Sequence, residues 1–544
     1  MIHGIASQCV LPLAMTWCFG GNPMKRTLAL MMTALLCLSL LAGCGTEGGE
    51  YTPTGDGLTW DDPSQATTPT DPVLEDNDLI TVYTPDSTYN PYFSNNLNNR
   101  AWMSLIYQGL FVADSSYEAH PILCENYWMS DDMQTYVFYI RSDAVFSDGT
   151  PLTLADVEAS LTFAMESDRY RGRFHHVDTM FAADGAITFR LDTPYEDFPL
   201  LLDVPILKQT ELTAVQPLGT GPYRLTSGAG GMRLVKVASW WANAELPITG
   251  SAVTLREAKS PLQVRDDFER SDMELVCTDP GNPDYAAYRC DYELWDCETG
   301  TFLYLSVNRN SWIFANEALL RSLTNVIDRE QIVADFYHGY ARPSTLAASP
   351  LSPYYDSILA SQYGQYDPLL FAQAFQATDL GDGAVRLLVN SASAQRLSIA
   401  HRIESMLEAQ GMTVEVVAYT GNDYTYTLAI GNYDLHLAQT TLSPNMDLTS
   451  FFSSNGVLSY GLSSTRLYAL CLDSLANRGN YYNLLKEVAE DGHLIPILFC
   501  TNAVYGKRGA ASALSPSRDH VFYYDLGATA EDVLLDERRT DTLG

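Results

Sequence analysis

Basic residues are scarce in this chain. Lys and Arg number 32 against 66 Asp and Glu, a net charge of −34 over 544 residues. That deficit argues against nucleic acid as a partner, because such binding depends on cations that neutralise phosphates. It argues equally against adsorption onto anionic lipid. Long-range steering by this charge mildly favours cationic or zwitterionic ligands, and the plainer reading is a surface kept soluble. Catalytic signatures are also missing: there is no G-x-S-x-G elbow, S-x-x-K, Walker loop or H-E-x-x-H. Gly219-Thr220-Gly221 opens like a phosphate loop, but Pro222-Tyr223-Arg224-Leu225 follows and reads as a turn into a strand. A phosphate cradle needs a helix N-terminus there. No C-x-x-C pair occurs, which argues against a zinc ribbon or a thioredoxin-type site. Neither a cofactor nor a metal is expected.

Only one long apolar run exists. It extends from Leu28 to Leu41, follows Lys25-Arg26 and ends in Leu41-Ala42-Gly43-Cys44. It falls short of the roughly 20 residues that span a bilayer. A basic start, an apolar middle and a small-residue exit make a secretory signal. Leu-Ala-Gly-Cys resembles the lipobox of bacterial lipoproteins, with Cys44 as the lipidated residue. Met24 before Lys25-Arg26 is the expected translation start. The chain after Cys44 is expected to work outside the cytoplasm, held to the cell membrane by lipid. Residues 45–78 read as a tether, rich in Gly, Thr, Pro, Asp and Glu, that cannot bury enough apolar surface to fold. The hydrophobic fraction of 46% and aromatic fraction of 11% are those of a folded protein. About 500 residues call for two or three domains.

Local patterns organise the remainder. Leu79–Tyr83 and Thr135–Ile140 read as strands. Asp148-Gly149 is a turn, and Thr153 with Asp156 resembles a capping box opening a helix that buries Val157, Leu161 and Met165. A helical pair begins near Asn316, with Leu319, Leu323, Val326 and Ile327 on one face. Asp328-Arg329-Glu330-Gln331 resembles a second capping box, and Gly339 a stop. Val385–Val389, a helix after Ser393 ending at Gly411, and Thr413–Val417 form a βαβ unit with a parallel pair. The fold class is therefore α/β.

Candidate chemistry is sparse. His175-His176 reads as solvated surface, since neighbours on a strand face opposite ways and Arg171 and Arg173 would repel a cation. His401 and Glu404 read as an ordinary exposed helical pair. Six cysteines follow Cys44. Cys290 and Cys297 are close enough to close a small loop, and buried free thiols are the equal alternative. The aromatic loops Tyr89-Asn90-Pro91-Tyr92-Phe93 and Phe451-Phe452 suit either a closing cleft or simple loop anchoring.

Several stretches together resemble one family. Val145-Phe146-Ser147-Asp148-Gly149-Thr150-Pro151-Leu152-Thr153-Leu154-Ala155-Asp156-Val157 resembles the F-x-D-G-x-P-x-T-A-x-D-V signature of family 5 extracellular solute-binding proteins. These are the peptide, dipeptide and nickel receptors of ABC importers. Gly219-Thr220-Gly221-Pro222-Tyr223 is similar to the second hallmark of that family. Leu305–Asn308, Ala318–Arg321, Ile327-Asp328-Arg329 and Tyr337–Pro343 resemble the third, and Asn432-Tyr433-Asp434-Leu435 resembles its Y-D-L strand. The resemblance runs from about residue 79 to about 525. It implies a two-lobed periplasmic-binding-protein-like fold (type II, cluster C) with an inserted subdomain in the first lobe. The expected division is 79–303 for lobe I, with the insertion at about 100–215, then 304–499 for lobe II and 500–544 for the return. The chain should cross between lobes near Tyr304–Asn308 and Phe499–Asn502.

The implied function is a monomeric, lipid-anchored receptor that binds oligopeptides or related small solutes and delivers them to an ABC permease. The alternative is a surface lipoprotein that senses or adheres without transport; a hydrolase is a distant third. The implied ligand-binding residues are Tyr89, Asn90, Phe93, Thr440, Thr441, Asn445 and Asp447. Peptide-binding members hold the ligand's ammonium with an aspartate where this chain has Pro444. Asp447 is the one carboxylate in that loop, and the usual tryptophan is missing. Either Asp447 substitutes, or the ligand is not an ordinary free-amine peptide.

Overall fold

Two sets of apolar residues collect on either side of one pair of long strands. The computed structural model describes residues 79–522, apart from 229–230, 246–249, 379–382, 511–513, 515 and 519. Cys44 and the tether expected at 45–78 lie outside the described residues. The strands, in chain order, are β1 (Leu79–Tyr83), β2 (Phe111–Ala113), β3 (Ala119–Pro121), β4 (Cys124–Met129), β5 (Thr135–Ile140) and β6 (Val177–Ala183). Next come β7 (Ala186–Leu191), β8 (Tyr223–Gly228), β9 (Gly231–Lys236), β10 (Ala252–Glu257), β11 (Leu275–Thr278) and β12 (Glu293–Val307). The last are β13 (Arg342–Pro343), β14 (Val385–Asn390), β15 (Val414–Tyr419), β16 (Leu435–Thr441) and β17 (Leu494–Gly506).

One four-stranded sheet runs β1-β10-β9-β8, and a second runs β4-β5-β7-β6. The largest runs β11-β17-β12-β16-β14-β15, with β13 also on β17. Within it β12 and β17 are antiparallel along most of their length, with an irregularity between Glu298 and Thr301. Gly300 sits in that irregularity at φ +68°, a conformation glycine adopts without steric cost. The first core is built from residues between Leu79 and Cys297, joined by Val504, Val521 and Phe522. The second is built from residues between Leu303 and Leu498. A third cluster, Phe302 to Phe499, lies beside the second, and Tyr117 reaches into it from the first half. The result is a two-lobed α/β fold.

Local signals place several elements where the sequence put them. Thr153 and Asp156 form a reciprocal capping box at the start of the Leu154–Glu166 helix, with Val157 and Leu161 fully buried. Ser393 caps Ala394–Glu408, and β14 and β15 pair in parallel around that helix. Asp328 caps Arg329–Tyr337 through the Gln331 N–H, but the reciprocal bond is absent, because the Gln331 side chain donates to Asp335 at 2.7 Å. The same helix stops at His338, in the left-handed region at φ 53°, one residue before Gly339. The six cysteines are free thiols; no bridge joins Cys290 to Cys297.

Two hallmark segments have structural roles. Arg329 is buried, and its guanidinium donates to the carbonyls of Ser344, Pro496, Thr324 and Gly364, pinning four separate stretches of chain at once. Gly219 and Gly221 let their loop approach the 105–107 backbone. A Cβ at Gly219 would stand 2.0 Å from the Ile106 carbonyl oxygen, and one at Gly221 2.5 Å from that of Leu105. Gly219→Ala is therefore expected to destabilise by about 1–3 kcal/mol through overpacking. Gly228→Ala, with nothing near the added Cβ, is the neutral control. Thermal melts of both variants check this.

Candidate functional site

The Tyr89–Phe93 loop is locked from within. The Asn90 side chain donates to the carbonyls of Leu212 and Ala214 and accepts from the Tyr92 N–H. Its Pro91 thereby becomes one wall of a cavity of about 40 Å³. Arg100 from the Leu97–Met103 helix, Arg169 and Arg173 from the turn after Leu154–Glu166, and Arg518 and His520 from the last described stretch supply the basic groups of its lining. Asp203 is the one acid among the lining residues. In a chain with twice as many acids as bases, four arginines thus surround one small space.

The arginines are held in place. Arg173 donates to the Asp203 carbonyl at 2.7 Å and Arg169 to that of Ser94 at 3.0 Å. Both guanidinium groups lie over the Tyr170 ring, 5.2 and 5.8 Å from its centroid. Arg518 donates its backbone N–H to Glu298 and an Nη1 proton to Leu442, so it ties both halves of the chain to the cavity. Its Nη2 is buried and has no partner. Burial, with help from the neighbouring Arg169, brings the Arg100 guanidinium down to about 10. Burial also lowers Arg173. Burial pushes Asp203 up, but the His520 charge, the 2.7 Å His520 bond and the arginines outweigh it, so its carboxyl sits below the usual range. An anionic group entering this space would relieve crowded positive charge.

Beside the cavity the two halves are joined by polar contacts. Arg478 grips Asp197 through Nη2 at 2.7 Å and Nε at 3.2 Å, and reaches Glu118 at 3.0 Å. Tyr354 donates to Asp197 at 2.8 Å, and the Glu196 N–H donates to the Leu475 carbonyl at 2.8 Å. Asn445 donates to the Tyr195 hydroxyl at 2.5 Å. His175 Nε2 lies 2.7 Å from Thr449 Oγ1 and 3.2 Å from Asp447 Oδ2. His176 is therefore not solvated surface, while His175 stays exposed. The pair lies in a turn rather than a strand, so the two rings stand side by side at 4.1 Å, and His176 is only 4% exposed. His401 and Glu404 do form an exposed pair at 2.8 Å.

The residues expected to bind ligand fall into three places. Asn445 and Asp447 belong to the contacts joining the halves. Asp447 accepts from the Thr449 N–H and hydroxyl as well as facing His175. Burial raises this carboxyl, but the His175 hydrogen bond and charge outweigh it and hold it low. Thr440 and Thr441 end β16 opposite Phe302 and Thr301. Tyr89 and Asn90 anchor their loop, and Phe93 packs edge-on against Phe163 while 46% exposed. The arginines and His520 were missed. Arg169, Arg171 and Arg173, three arginines in five residues of an acidic chain, were the available signal.

Residues 118–458 match the model for bacterial extracellular solute-binding proteins, family 5. The chain belongs to that family. It is a family of solute-binding proteins, not of catalysts, and among the described residues no helix is long and apolar enough to cross a membrane. Glutathione-binding protein GsiB of Salmonella typhi is 25% identical over 333 residues, 57% of this chain and 63% of that protein. GsiB of Escherichia coli O157:H7 is 26% identical over 313 residues, 54% and 59% of the two chains. The match thus spans less than two thirds of these relatives. The substrate-binding protein CtaP of Listeria monocytogenes superposes with a TM-score of 0.66 at 18% identity, covering 82% of this chain and 98% of that one. NikA of Brucella suis, solved with Fe(III)-EDTA, gives 0.64 at 18%, covering 82% and 99%. AppA of Bacillus subtilis, an oligopeptide-binding protein solved with a nonapeptide, gives 0.59 at 18%, covering 82% and 98%.

A prediction follows for Asp203. An unfolded aspartate titrates near 3.9, and in the fold this carboxyl titrates lower. Its stabilisation is present above the unfolded value and is lost as pH falls through the folded one. Asp203→Asn should lower stability at pH 7 by about 3–5 kcal/mol, the cost of breaking a buried pair. It should also lose less on acidification from pH 5 to 2 than the parent does. Thermal melts across that range measure both.

Proposed function

We propose that this chain is the solute receptor of an ABC importer. It is anchored by lipid on Cys44 and held off the membrane by residues 45–78. It binds oligopeptides or related small solutes between its lobes, as a monomer, and delivers them to a membrane permease. The arginine-lined cavity, whose lining residues all come from 79–303 and 500–544, carries the ligand class in this reading. Glutathione, EDTA and a peptide C-terminus, the ligands named for the relatives, share one chemical group, the carboxylate. A guanidinium fork is the side chain best matched to it. Four such forks around one small space favour a ligand that leads with a carboxylate.

A space of about 40 Å³ takes a few water-sized groups at most, so it receives a ligand's carboxylate and leaves the rest of a larger solute outside. The polar contacts between the halves are hydrogen bonds and ion pairs, each worth about 0.5–1.5 kcal/mol net, and they stand beside apolar packing of Tyr117 and Leu475 across the halves. A ligand with a few kcal/mol of preference for the closed form can therefore drive closing.

Calorimetry with short peptides and their C-terminally amidated counterparts tests the reading. The free acids should bind at one site per chain, and the amides at least tenfold more weakly. Arg518→Ala should erase the difference between them. Equal binding of acid and amide would remove the carboxylate from the cavity. Scattering should also show a smaller radius of gyration at saturation; an unchanged radius counts against closure.

A further inference from the structure

We propose that His175, His176 and Asp447 form a site for one divalent transition-metal ion that bridges the two halves of the chain. One ring nitrogen from each histidine and one Asp447 carboxylate oxygen lie within 4.8 Å of one another. Two imidazoles and a carboxylate suit zinc and its neighbours, leaving a fourth position for water. Zinc at about 2.0–2.2 Å from each ligand sets them about 3.4 Å apart. His175 Nε2 and Asp447 Oδ2 already stand at 3.2 Å. Small side-chain rotations complete the set.

The outer partners point the same way. Histidine ligands usually give their second ring nitrogen to a carbonyl or carboxylate, which fixes the ring and the tautomer. His175 Nδ1 faces the Gly172 carbonyl at 2.8 Å, and His176 Nδ1 faces Asp192 at 2.9 Å. Both rings thereby turn Nε2 toward the site, where that of His175 now bonds the Thr449 hydroxyl at 2.7 Å and would exchange it for the ion. For His176 that atom is buried and has no hydrogen-bond partner, in a residue only 4% exposed. An orphaned buried nitrogen needs an explanation, and a metal ion supplies one. The nearby arginines do not oppose it: Arg171 pairs with Asp168, and Arg173 turns into the cavity to meet the Asp203 carbonyl. None of the three ligand residues lines the arginine cavity, so this site is separate from the proposed solute site and does not rest on it.

The geometry gives the ion a consequence. The two histidines come from the first half and the aspartate from the loop after β16, so the full set exists only when the halves are docked. The ion therefore favours the closed form.

The test uses the full chain freed of metal by chelator, with Zn²⁺ alone and with Co²⁺ as a spectroscopic stand-in. One equivalent of Zn²⁺ should bind, raise the melting temperature and shrink the radius of gyration without any solute. Co²⁺ should show the intense visible bands of a tetrahedral N/O site. His176→Ala and Asp447→Ala should each weaken binding at least tenfold, while His401→Ala leaves it unchanged. His175→Ala, at a ring still 32% exposed, repeats the test where folding is not at stake. Absence of saturable binding, or affinity that survives all three substitutions, overturns the site. Binding without compaction overturns the bridge.

Discussion

Both lobes are strung on one antiparallel pair, β12 against β17, and that shared backbone is the constraint the rest of the molecule obeys. The N-terminal part of β12 and the C-terminal part of β17 belong with β11, and their other ends with β16 and β14. Since the ladder cannot slip without flipping every side chain to the wrong face, motion between lobes is confined to bending. The ladder is already irregular at Glu298 to Thr301 and again at Leu303 to Tyr304, and bending costs less at such places than along the regular ladder. Arg518 sits on the first of these. A Cβ at Gly300 would stand 2.7 Å from its Nη2, so the irregular turn and the cavity arginine share the same space. Bending there moves the charge that would meet the ligand.

The electrostatics run against the bulk composition. A net charge of −34 describes the solvent-facing surface, and the cavity inverts it locally. This division has a physical logic: at a distance an acidic surface disfavours anions, and only a ligand that reaches the desolvated interior meets the guanidinium groups at short range, where the attraction is largest. In the proposed function, specificity is set inside the cavity, with little help from long-range steering.

What was legible in the sequence was local. β1 and β5, the Thr153–Asp156 box and the Ser393 cap depend on residues within a turn or two of each other, and the spacing carried them. Asp328 does cap its helix, the box lacking only the reciprocal bond because Gln331 turns to Asp335, and Gly339, at φ 86° with its N–H on the Val333 carbonyl, ends the helix together with a left-handed His338. The cavity was not legible, because Arg100, Arg173 and Arg518 are brought together from sequence separations of 73 to several hundred residues. The burial of His176 escaped for a different reason: the strand begins only at Val177, and a turn places the neighbouring rings of His175 and His176 together where a strand would part them.

The free thiols carry a last consequence. Cys124, Cys277, Cys297 and Cys471 are buried, and burial pushes Cys277 and Cys500 up to about 12. Thiols in that state stay protonated and react slowly. The described fold holds together with no cross-link, so its stability carries no dependence on an oxidising folding machinery. Reductant in an assay buffer should leave the described fold untouched.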